Sequence, residues 1–458
     1  MTELDSIICN LCKREEDTGC YNITIDGIGV YNLIRFKVRN DFLQSKGYNF
    51  VEKYSGVKLS ELIKSLFISA FQLAKIRVLR RKYDVFFYAF LRLDHVGGSY
   101  LDKYVDPVID CCGAENYIIF ERGRRGVHFK PRVHAGRVVY TNLLDVYFDV
   151  VAKLGCKRFA KKYRQELTQL FSAIEIVLEG EKINRENLTN FVLYCICRTK
   201  TYEKIFRRMG VKKIFAPSRA NILSHICAAK RLGIESYEFQ HGITYGETAI
   251  YSGYRDPNYT PDGFLAFGDT PPRDVYGIDE SKIYNIGWAF QEYIDQTEAN
   301  VRVAEKDVLV ISGPCMTDKI LSATFKLAKD NPDIHFVVRP HPAEVVSDEN
   351  KKDVSEYPNI VFQDPKINVA VAMRPFQNLI GENSTVLYEA LTYGKKVARF
   401  CFEGFNPRYL TPKDEECFWK VCDSESFKAF INGKVEDKKS MKIYSKFDKE
   451  LFLKLYNS

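Results

Sequence analysis

The sequence contains no apolar run long enough to cross a bilayer. Its longest apolar stretches, such as residues 85–91, are far shorter than the roughly 20 residues that a transmembrane helix needs. The first ten residues also lack the positive charge that precedes the apolar core of a secretory signal, because Glu3 and Asp5 stand there instead. We therefore expect a cytoplasmic protein.

A disulfide framework is not indicated either. The chain has 13 cysteines, an odd number spread over 458 residues, which is typical of reduced thiols. Cys9, Cys12 and Cys20 have a CxxC spacing followed by a third thiol, but a zinc site would need a fourth ligand that nothing nearby supplies. We interpret most cysteines as small core residues, and zinc at this cluster is the less favoured alternative.

Disorder and low complexity are also excluded by composition. Hydrophobic residues make up 46% of the chain and charged residues 28%, close to the globular average. A length of 458 residues is too great for one ordinary core and suits two domains with a cleft between them.

The net charge of +8 is modest but unevenly distributed. Basic residues cluster in three places: Arg77, Arg80, Arg81 and Lys82; Arg122, Arg124 and Arg125; and Lys157, Arg158, Lys161, Lys162 and Arg164. Such clusters suit phosphorylated substrates or an acidic membrane surface, and a simply solvated face is the alternative. We expect no nucleic-acid partner.

The second half of the chain has the alternating pattern of parallel βαβ units. Short β-branched and aromatic runs predict strands at 213–216, 236–239, 264–267, 283–286, 307–311, 335–338, 360–362, 378–380 and 396–400. Helical patterns fill the gaps, and the polar stretch 287–306 is predicted to be a linker. The sequence thus predicts an α/β fold.

The first half is less regular. Residues 84–93 predict a strand, 143–178 a helical region, and 61–81 a helix with a basic end. The helix 61–81 has its apolar residues on one side: Leu62, Leu66, Phe67, Ala70, Leu73, Ala74 and Ile76. We expect this stripe to pack against a sheet, with membrane-surface contact as the alternative.

The segment HFVVRPHPAE, residues 335–344, carries the first candidate site. A buried strand delivers Arg339 and His341 to its carboxyl end, where ligands bind in open α/β sheets. Pro340 and Pro342 stiffen this loop. A cation and an imidazole held in this way suit a phosphate or a ribose, and a proline-rich turn with an incidental histidine is the alternative.

The segment NLIGENSTVLYEALTYGKKVARF, residues 378–400, carries the second. A strand runs into Gly381, Glu382 and Asn383, and Ser384 is placed to cap a helix. Ser384 and Thr385 at a helix N-terminus would bind phosphate oxygens, since free N–H groups and the helix dipole favour anions there. Glu389, a little over one turn into the helix, is a candidate acceptor for ribose hydroxyls. Taken separately, these features also suit an ordinary capped helix.

Together these segments resemble a known family. The residues RPHP, the later ENSTVLYEA and the following GKKV are similar to the C-terminal domain of GT-B glycosyltransferases that build bacterial capsule and lipopolysaccharide. A similar domain occurs in UDP-N-acetylglucosamine 2-epimerases. Bacterial sialyltransferases, 3-deoxy-manno-octulosonic acid (Kdo) transferases and CDP-glycerol polymerases share the His-Pro dipeptide and the hydroxyl-bearing helix start. The match covers residues 307–400, and the first half matches only in general layout.

The resemblance implies two Rossmann-like domains that face a cleft in the GT-B arrangement. Residues 1–288 would bind the acceptor and residues 289–458 the nucleotide-sugar donor, with His341, Ser384 and Thr385 as nucleotide contacts. The expected activity is inverting and metal-independent transfer of a sugar to a surface polysaccharide or lipid-linked glycan. CMP-Kdo or CMP-sialic acid is the preferred donor, with UDP- and GDP-sugars as alternatives. No cofactor is expected, and the protein could lie peripherally on the inner membrane.

Three further segments supply the remaining candidates. SYEFQHGITYGE, residues 236–247, resembles the QHG loops of polysaccharide transferases, so His241 is a candidate base or donor contact, with a structural histidine as the alternative. Asp94 is a second candidate base by its position after a strand, and a loop cap is its alternative. Ser312 and Gly313 end a strand where backbone can approach the donor. The candidate acceptor contacts are Arg92, His95 and Tyr245.

Two alternatives to a transferase stay open. A 2-epimerase-like enzyme would act on a nucleotide sugar without an acceptor and needs several acidic residues around the reacting carbon, of which the sequence offers Glu382 and Asp94. A non-catalytic nucleotide-binding scaffold subunit would keep the donor motifs without turnover.

Overall fold

The computed structural model describes residues 3–48, 58–90, 93–123, 126–244, 246–268, 274–297, 301–313, 316–341, 346–365, 367–441 and 443–458. The strands are β1 (Thr24–Ile25), β2 (Ile28–Gly29), β3 (Val85–Tyr88), β4 (Asp94–Val96), β5 (Ser99–Leu101), β6 (Tyr117–Glu121), β7 (Val138–Tyr140), β8 (Lys213–Pro217), β9 (Glu235–Phe239), β10 (Gly263–Ala266), β11 (Ile283–Asn285), β12 (Ala304–Ile311), β13 (Phe336–Arg339), β14 (Ile360–Phe362), β15 (Phe376–Gly381), β16 (Lys396–Phe400) and β17 (Trp419–Val421).

The α-helices are α1 (Glu3–Asp17), α2 (Val30–Ser45), α3 (Leu59–Leu79), α4 (Asp106–Cys112), α5 (Asn142–Lys162), α6 (Arg164–Val177), α7 (Arg185–Met209), α8 (Arg219–Lys230), α9 (Ala289–Thr297), α10 (Thr317–Asp330), α11 (Asp348–Ser355), α12 (Val369–Ala372), α13 (Thr385–Thr392), α14 (Ser424–Asn432) and α15 (Lys449–Asn457). Short 3₁₀ helices lie at Cys20–Asn22, Asp274–Tyr276, Glu280–Lys282, Pro412–Cys417 and Val435–Asp437.

Two parallel sheets organise the fold. The first sheet has the strand order β11-β10-β9-β8-β3-β6-β7, and the second has the order β14-β13-β12-β15-β16-β17. In each sheet the first strand in sequence is central, the next two lie on one side and the later ones on the other, which is the Rossmann order. The predicted fold class, α/β with two Rossmann-like sheets, is confirmed.

Buried runs of large apolar residues explain these strands. β3 reads VFFY and β6 reads YIIFE, and every residue of both strands is buried. Strands covered by helices on both faces show such continuous apolar runs rather than alternation. The nine strands predicted in the second half are all present, whereas β6, β7 and β17 add strands that the sequence pattern did not suggest.

The predicted strand 84–93 is wrong in its extent. β3 ends at Tyr88, and Asp94 begins a separate antiparallel hairpin in which Asp94 pairs with Leu101 and Val96 with Ser99. Gly97 and Gly98 have positive φ angles at the turn, a conformation that glycine adopts without strain. Asp94 therefore lies on a hairpin and not in a strand of the first sheet.

Helices from the first half build a second layer around a buried ion pair. The carboxylate of Glu15 on α1 lies 2.5 Å from Arg39 on α2, and both side chains are fully buried. Tyr31 donates a 2.6 Å hydrogen bond to Glu15, and Arg39 also donates to the carbonyl oxygens of Ala249 and Ser252. The pair thus fixes α1 and α2 to the segment that follows β9.

The last described segment of the chain returns to the first sheet. The Ser445 N–H donates to the Phe267 carbonyl over 2.8 Å, and the Phe452 ring centroid lies 5.4 Å from that of Phe215. Lys213 Nζ donates to the Leu455 carbonyl over 2.6 Å. The chain thus passes between the two sheets twice, once through α9 and once before α15. The division into domains at residue 288 stays a prediction.

Among the helices of the described residues, none is long and apolar enough to span a membrane.

His225 on α8 should make the stability pH-dependent. Its ring is buried 3.9 Å from Tyr202 and 4.4 Å from Tyr88, measured between centroids, and burial together with the charge of Arg198 holds its pKa well below 6.5. As pH falls through about 6.5, the His225 imidazole becomes protonated in the unfolded chain but stays neutral in the folded chain. The unfolding free energy should therefore fall by up to about 1.4 kcal/mol per pH unit.

Urea unfolding between neutral and mildly acidic pH will measure this effect against His225→Leu, which lacks the titrating group. An identical pH dependence in both proteins would contradict it.

Candidate active site

The carboxyl ends of the two sheets meet at one place. Asn368, just before α12, donates a 2.6 Å hydrogen bond from its side chain to Asp94 Oδ1 on the β4–β5 hairpin. Arg339, at the end of β13, lies close enough for the Asp94 charge to act on its pKa. Since doubly wound sheets bind ligands beyond the carboxyl ends of their strands, this junction is the candidate active site.

Lys103 is the cation of this junction. It is half-buried, with Nζ 5.4 Å from the Tyr104 ring centroid. Burial alone would lower its pKa, but the charges of Tyr104, Asp94 and Glu389 outweigh that effect and raise it. Lys103 therefore stays protonated between one carboxylate from each half of the chain.

Glu389, predicted to face ribose hydroxyls, is buried beside this lysine. Burial raises the pKa of its carboxyl, while Lys103 and a 3.1 Å hydrogen bond from Tyr393 oppose that rise. A raised pKa brings a carboxyl closer to the range in which it exchanges protons near neutrality. The position suits a charge partner of Lys103 and Asp94 at the junction.

Asp102 holds the loop that carries Lys103 and Tyr104. Its carboxylate accepts hydrogen bonds from the backbone N–H groups of Phe90, Tyr104 and Val105, and burial together with Asp106 raises its pKa to about 7. Behind it, Arg132 bridges Asp106 and Glu121 with contacts of 2.7 and 2.8 Å. These carboxylates were not predicted, because their sequence context gives no sign of burial.

His241 lies where β9 ends, on a loop fixed by its neighbours. Gln240 is fully buried, donates to Tyr276 Oη over 2.8 Å and accepts from the Phe267 N–H over 2.9 Å. The His241 carbonyl accepts a 2.7 Å hydrogen bond from Tyr104 Oη. This bond ties the histidine loop directly to the loop of Lys103.

The His241 ring is backed by a buried polar chain. Its Nδ1 lies 3.5 Å from Tyr251 Oη, which donates to Glu238 over 3.1 Å. Glu238 in turn accepts from Arg219 Nε over 2.9 Å. A contact to Nδ1 orients the imidazole and leaves Nε2 as the nitrogen on the other side of the ring. This chain is the arrangement that a base needs.

On the second sheet, two predicted donor contacts hold protein loops. Arg339 is buried, and its guanidinium donates to Gln363 Oε1 over 2.9 Å and to the Ile367 carbonyl over 2.5 Å. Ser312 is buried 3.2 Å from Thr317 Oγ1. Arg339 thereby positions the segment that carries Asn368. Gly313 follows Ser312, and His341 is half-buried just after β13.

The turn before α13 is built as the sequence predicts. Ser384 caps the helix by accepting from the Val386 N–H over 3.3 Å, and Thr385 is exposed at the first helical position. Glu382 and Asn383 instead hold the loop after β16. They accept hydrogen bonds from the N–H groups of Asn406 over 2.9 Å and Arg408 over 2.6 Å, respectively. Ser384 and Thr385 are thus the members of this turn best placed for an anion.

The remaining candidates lie elsewhere or outside the described residues. Arg92, Tyr245 and Pro342 fall outside them. His95 is exposed on the hairpin, with its ring centroid 4.7 Å from that of Tyr100. The roles assigned to all these residues stay predictions.

The possible zinc cluster is divided between surface and core. Cys12 and Cys20 are buried and Cys9 is half-buried. Within the described ranges, no group of three or more His, Cys, Asp or Glu side chains is placed to hold a metal ion.

No protein-family model and no curated protein matches the chain. It is similar to the solved structure of UDP-GlcNAc 2-epimerase from Methanocaldococcus jannaschii, with a TM-score of 0.49 at 11% identity, over 81% of this chain and 99% of that one. The enzyme of that name from Neisseria meningitidis, bound to UDP-GlcNAc, gives 0.44 at 10% identity over 81% and 98%. The apo lipopolysaccharide outer core galactosyltransferase WaaB gives 0.42 at 11% over 81% and 98%. Because these TM-scores are below 0.5, the function is inferred from the chain's own residues.

Proposed function

We propose that this chain is an enzyme that acts on a nucleotide sugar, and that it transfers the sugar to an acceptor hydroxyl. The carrying observation is the junction itself: Asp94 and Lys103 of the first half meet Asn368 and Glu389 of the second between two Rossmann-ordered sheets. Polar and charged groups from both halves therefore meet at one junction. In this proposal residues 1–288 bind the acceptor and 289–458 bind the donor.

The donor phosphate is assigned to the start of α13. Ser384 and Thr385 bring two hydroxyls to a helix N-terminus, where free N–H groups and the dipole stabilise negative charge. This charge grows on the leaving phosphate during transfer, so the same groups would stabilise the transition state.

His241 is assigned as the base. The acceptor hydroxyl gives its proton to the imidazole as the acceptor oxygen bonds to the anomeric carbon. The bond from that carbon to the phosphate oxygen breaks, and its electron pair leaves with the nucleotide. Tyr251 and Glu238 would hold the ring in the orientation that accepts the proton.

A nucleotide-sugar 2-epimerase is the second candidate. It is favoured by the two carboxylates, Asp94 and Glu389, that flank Lys103, since epimerisation needs acidic side chains around the reacting carbon. This reaction would consume no acceptor and would release no free nucleotide as a product, because it only interconverts two nucleotide sugars.

Turnover assays separate these functions. The protein is incubated with cytidine-, uridine- and guanosine-activated sugars, with and without oligosaccharide acceptors, and the free nucleotide and the sugar stereochemistry are followed. Nucleotide release that depends on an acceptor supports transfer, and a change of configuration without acceptor supports epimerisation. Nucleotide binding without any turnover would indicate a scaffold subunit and contradict the proposal.

Ser384→Ala should weaken nucleotide binding by about 1–3 kcal/mol, because a hydrogen bond to a charged phosphate is lost. Calorimetry with CMP, CDP, UDP and GDP measures this affinity, and His341→Ala is expected to act in the same direction. Since Ser384 also caps its helix, Asn184→Ala is the matched control: Asn184 caps α7 by accepting from the Asn187 N–H over 2.9 Å. Unchanged affinity for every nucleotide in folded Ser384→Ala would remove the phosphate assignment.

A further inference from the structure

The outer face of α3 is apolar and uncovered. Five large apolar residues, spaced by four or seven positions, form one stripe: Leu59, Ile63, Phe67, Phe71 and Val78, whose exposed fractions are 71%, 47%, 72%, 71% and 78%. Residues spaced in this way lie on one side of a helix. Isolated exposed apolar residues are common, but a continuous stripe of this kind marks a binding surface.

The inner face of α3 is not wholly apolar, because two buried serines lie beside half-buried apolar residues such as Leu73 and Ile76. Its inner face buries Ser65 and Ser69, and Ser69 Oγ donates to the Tyr140 carbonyl over 2.6 Å and accepts from the Leu143 N–H over 3.1 Å. The small hydroxyl residues thus fasten α3 to β7 and α5, while the two phenyl rings point outward.

The neighbouring helix α5 carries a second stripe. Its exposed apolar residues again recur every three or four positions: Leu143, Val146, Tyr147, Val150 and Leu154. The hydrogen bond between Ser69 and Leu143 places the start of this helix against α3. The two stripes therefore lie on helices that contact each other.

Basic residues accompany both stripes. From residue 58 to 82 there are seven lysines and arginines and one acidic residue: Lys58, Lys64, Lys75, Arg77, Arg80, Arg81 and Lys82, against Glu61. Asp145 and Asp149 lie in the first half of α5, and its second half and the residue just beyond it bring six basic residues: Lys153, Lys157, Arg158, Lys161, Lys162 and Arg164. The partner that covers this surface must be both apolar and anionic.

We propose that the outer faces of α3 and α5 dock on an anionic membrane surface. An apolar stripe flanked by lysine and arginine is the pattern of helices that lie in the plane of a bilayer, where the rings enter the acyl boundary and the cations meet lipid headgroups. A second copy of the chain is disfavoured as the occupant, because it would bring one basic surface against another.

The docked orientation places the candidate active site near the bilayer. Leu62, in the first turn of α3, packs against Gly126 in the loop that follows β6, at the carboxyl edge of the first sheet. On the proposed function, this brings the acceptor half close to lipid-borne substrates. The docking itself requires no nucleotide sugar and is tested without one.

Sedimentation with vesicles tests the proposal. The protein should bind vesicles of phosphatidylglycerol and phosphatidylcholine in equal parts, bind phosphatidylcholine alone much more weakly, and lose binding as salt is raised, because surface charge attraction is screened over about 8 Å at physiological ionic strength. Phe67→Ser with Phe71→Ser should weaken binding about tenfold or more. Arg80→Glu with Arg81→Glu should do the same at low salt.

Two control variants and a fluorescence measurement test whether binding depends on this surface. Val361→Ser removes an exposed apolar residue on β14, and Lys351→Glu with Lys352→Glu makes an equal charge change on α11; both should bind as the unaltered protein does. In Phe71→Trp, the fluorescence emission should shift to the blue when vesicles are added, and brominated lipid should quench this fluorescence. Absence of binding to anionic vesicles at low salt, or a dimer that the Phe67 and Phe71 changes dissociate, would overturn the proposal.

Discussion

His241→Ala should lower turnover by about 100-fold or more while nucleotide affinity stays nearly unchanged, because a base contributes to the transition state and not to donor binding. The expectation rests on the position of the ring at the end of β9, in contact with Tyr251 and tied through its carbonyl to Tyr104. Steady-state kinetics and calorimetry on the same preparation provide the two readouts.

Asp94→Asn is the matched comparison for this prediction. It keeps the size of the side chain and can still face Asn368, but it cannot take a proton. Whichever of the two variants loses turnover without losing nucleotide affinity identifies the base. Near-normal turnover in His241→Ala would transfer the role to Asp94, and a parallel loss of donor affinity would indicate that His241 positions the donor sugar.

Arg39→Met should lower the unfolding free energy by about 3–5 kcal/mol, because it leaves the Glu15 carboxylate buried without its cation. Both side chains are fully buried, and the Arg39 guanidinium also holds the carbonyls of Ala249 and Ser252. Losing those bonds should loosen the segment that carries Tyr251. Urea unfolding followed by circular dichroism measures the loss.

The control for Arg39→Met lies on the same helix. Lys37 forms an exposed pair with Asp41 at 2.7 Å, and Lys37→Met should cost less than about 0.5 kcal/mol, since exposed pairs contribute little. A loss below about 1 kcal/mol in Arg39→Met would mean that the buried pair is not a main stabilising contact.

Local sequence signals located the second sheet well. The run HFVVR predicts β13, and Ser384 is the predicted cap of α13, because an apolar run and a capping residue are both visible in the local sequence. The roles of Arg339 and Glu389 could not be derived in this way. Arg339 bonds to a loop more than twenty residues further along the chain, and Glu389 meets Lys103 only once the two halves are folded together.

The orientation of α3 likewise depends on tertiary contacts that the local sequence does not show. Apolar residues such as Phe71 and Val78 extend beyond the predicted stripe, so periodicity alone does not select the buried face. The predicted packed side includes Phe67 and Ala74. Both are exposed, and Leu73 and Ile76 pack inward together with Ser65 and Ser69. The deciding contacts, from Ser69 to Tyr140 and Leu143, are tertiary.

The return of the chain end to the first sheet has a consequence for synthesis on the ribosome. Phe215 and Phe239 lie in strands that are made long before Phe452, whose ring packs against both of theirs. Lys213 likewise cannot form its hydrogen bond to the Leu455 carbonyl until Leu455 has been made. The first sheet therefore emerges from the ribosome with an incomplete apolar surface, which stays open to chaperones or to misassembly until this later segment is made.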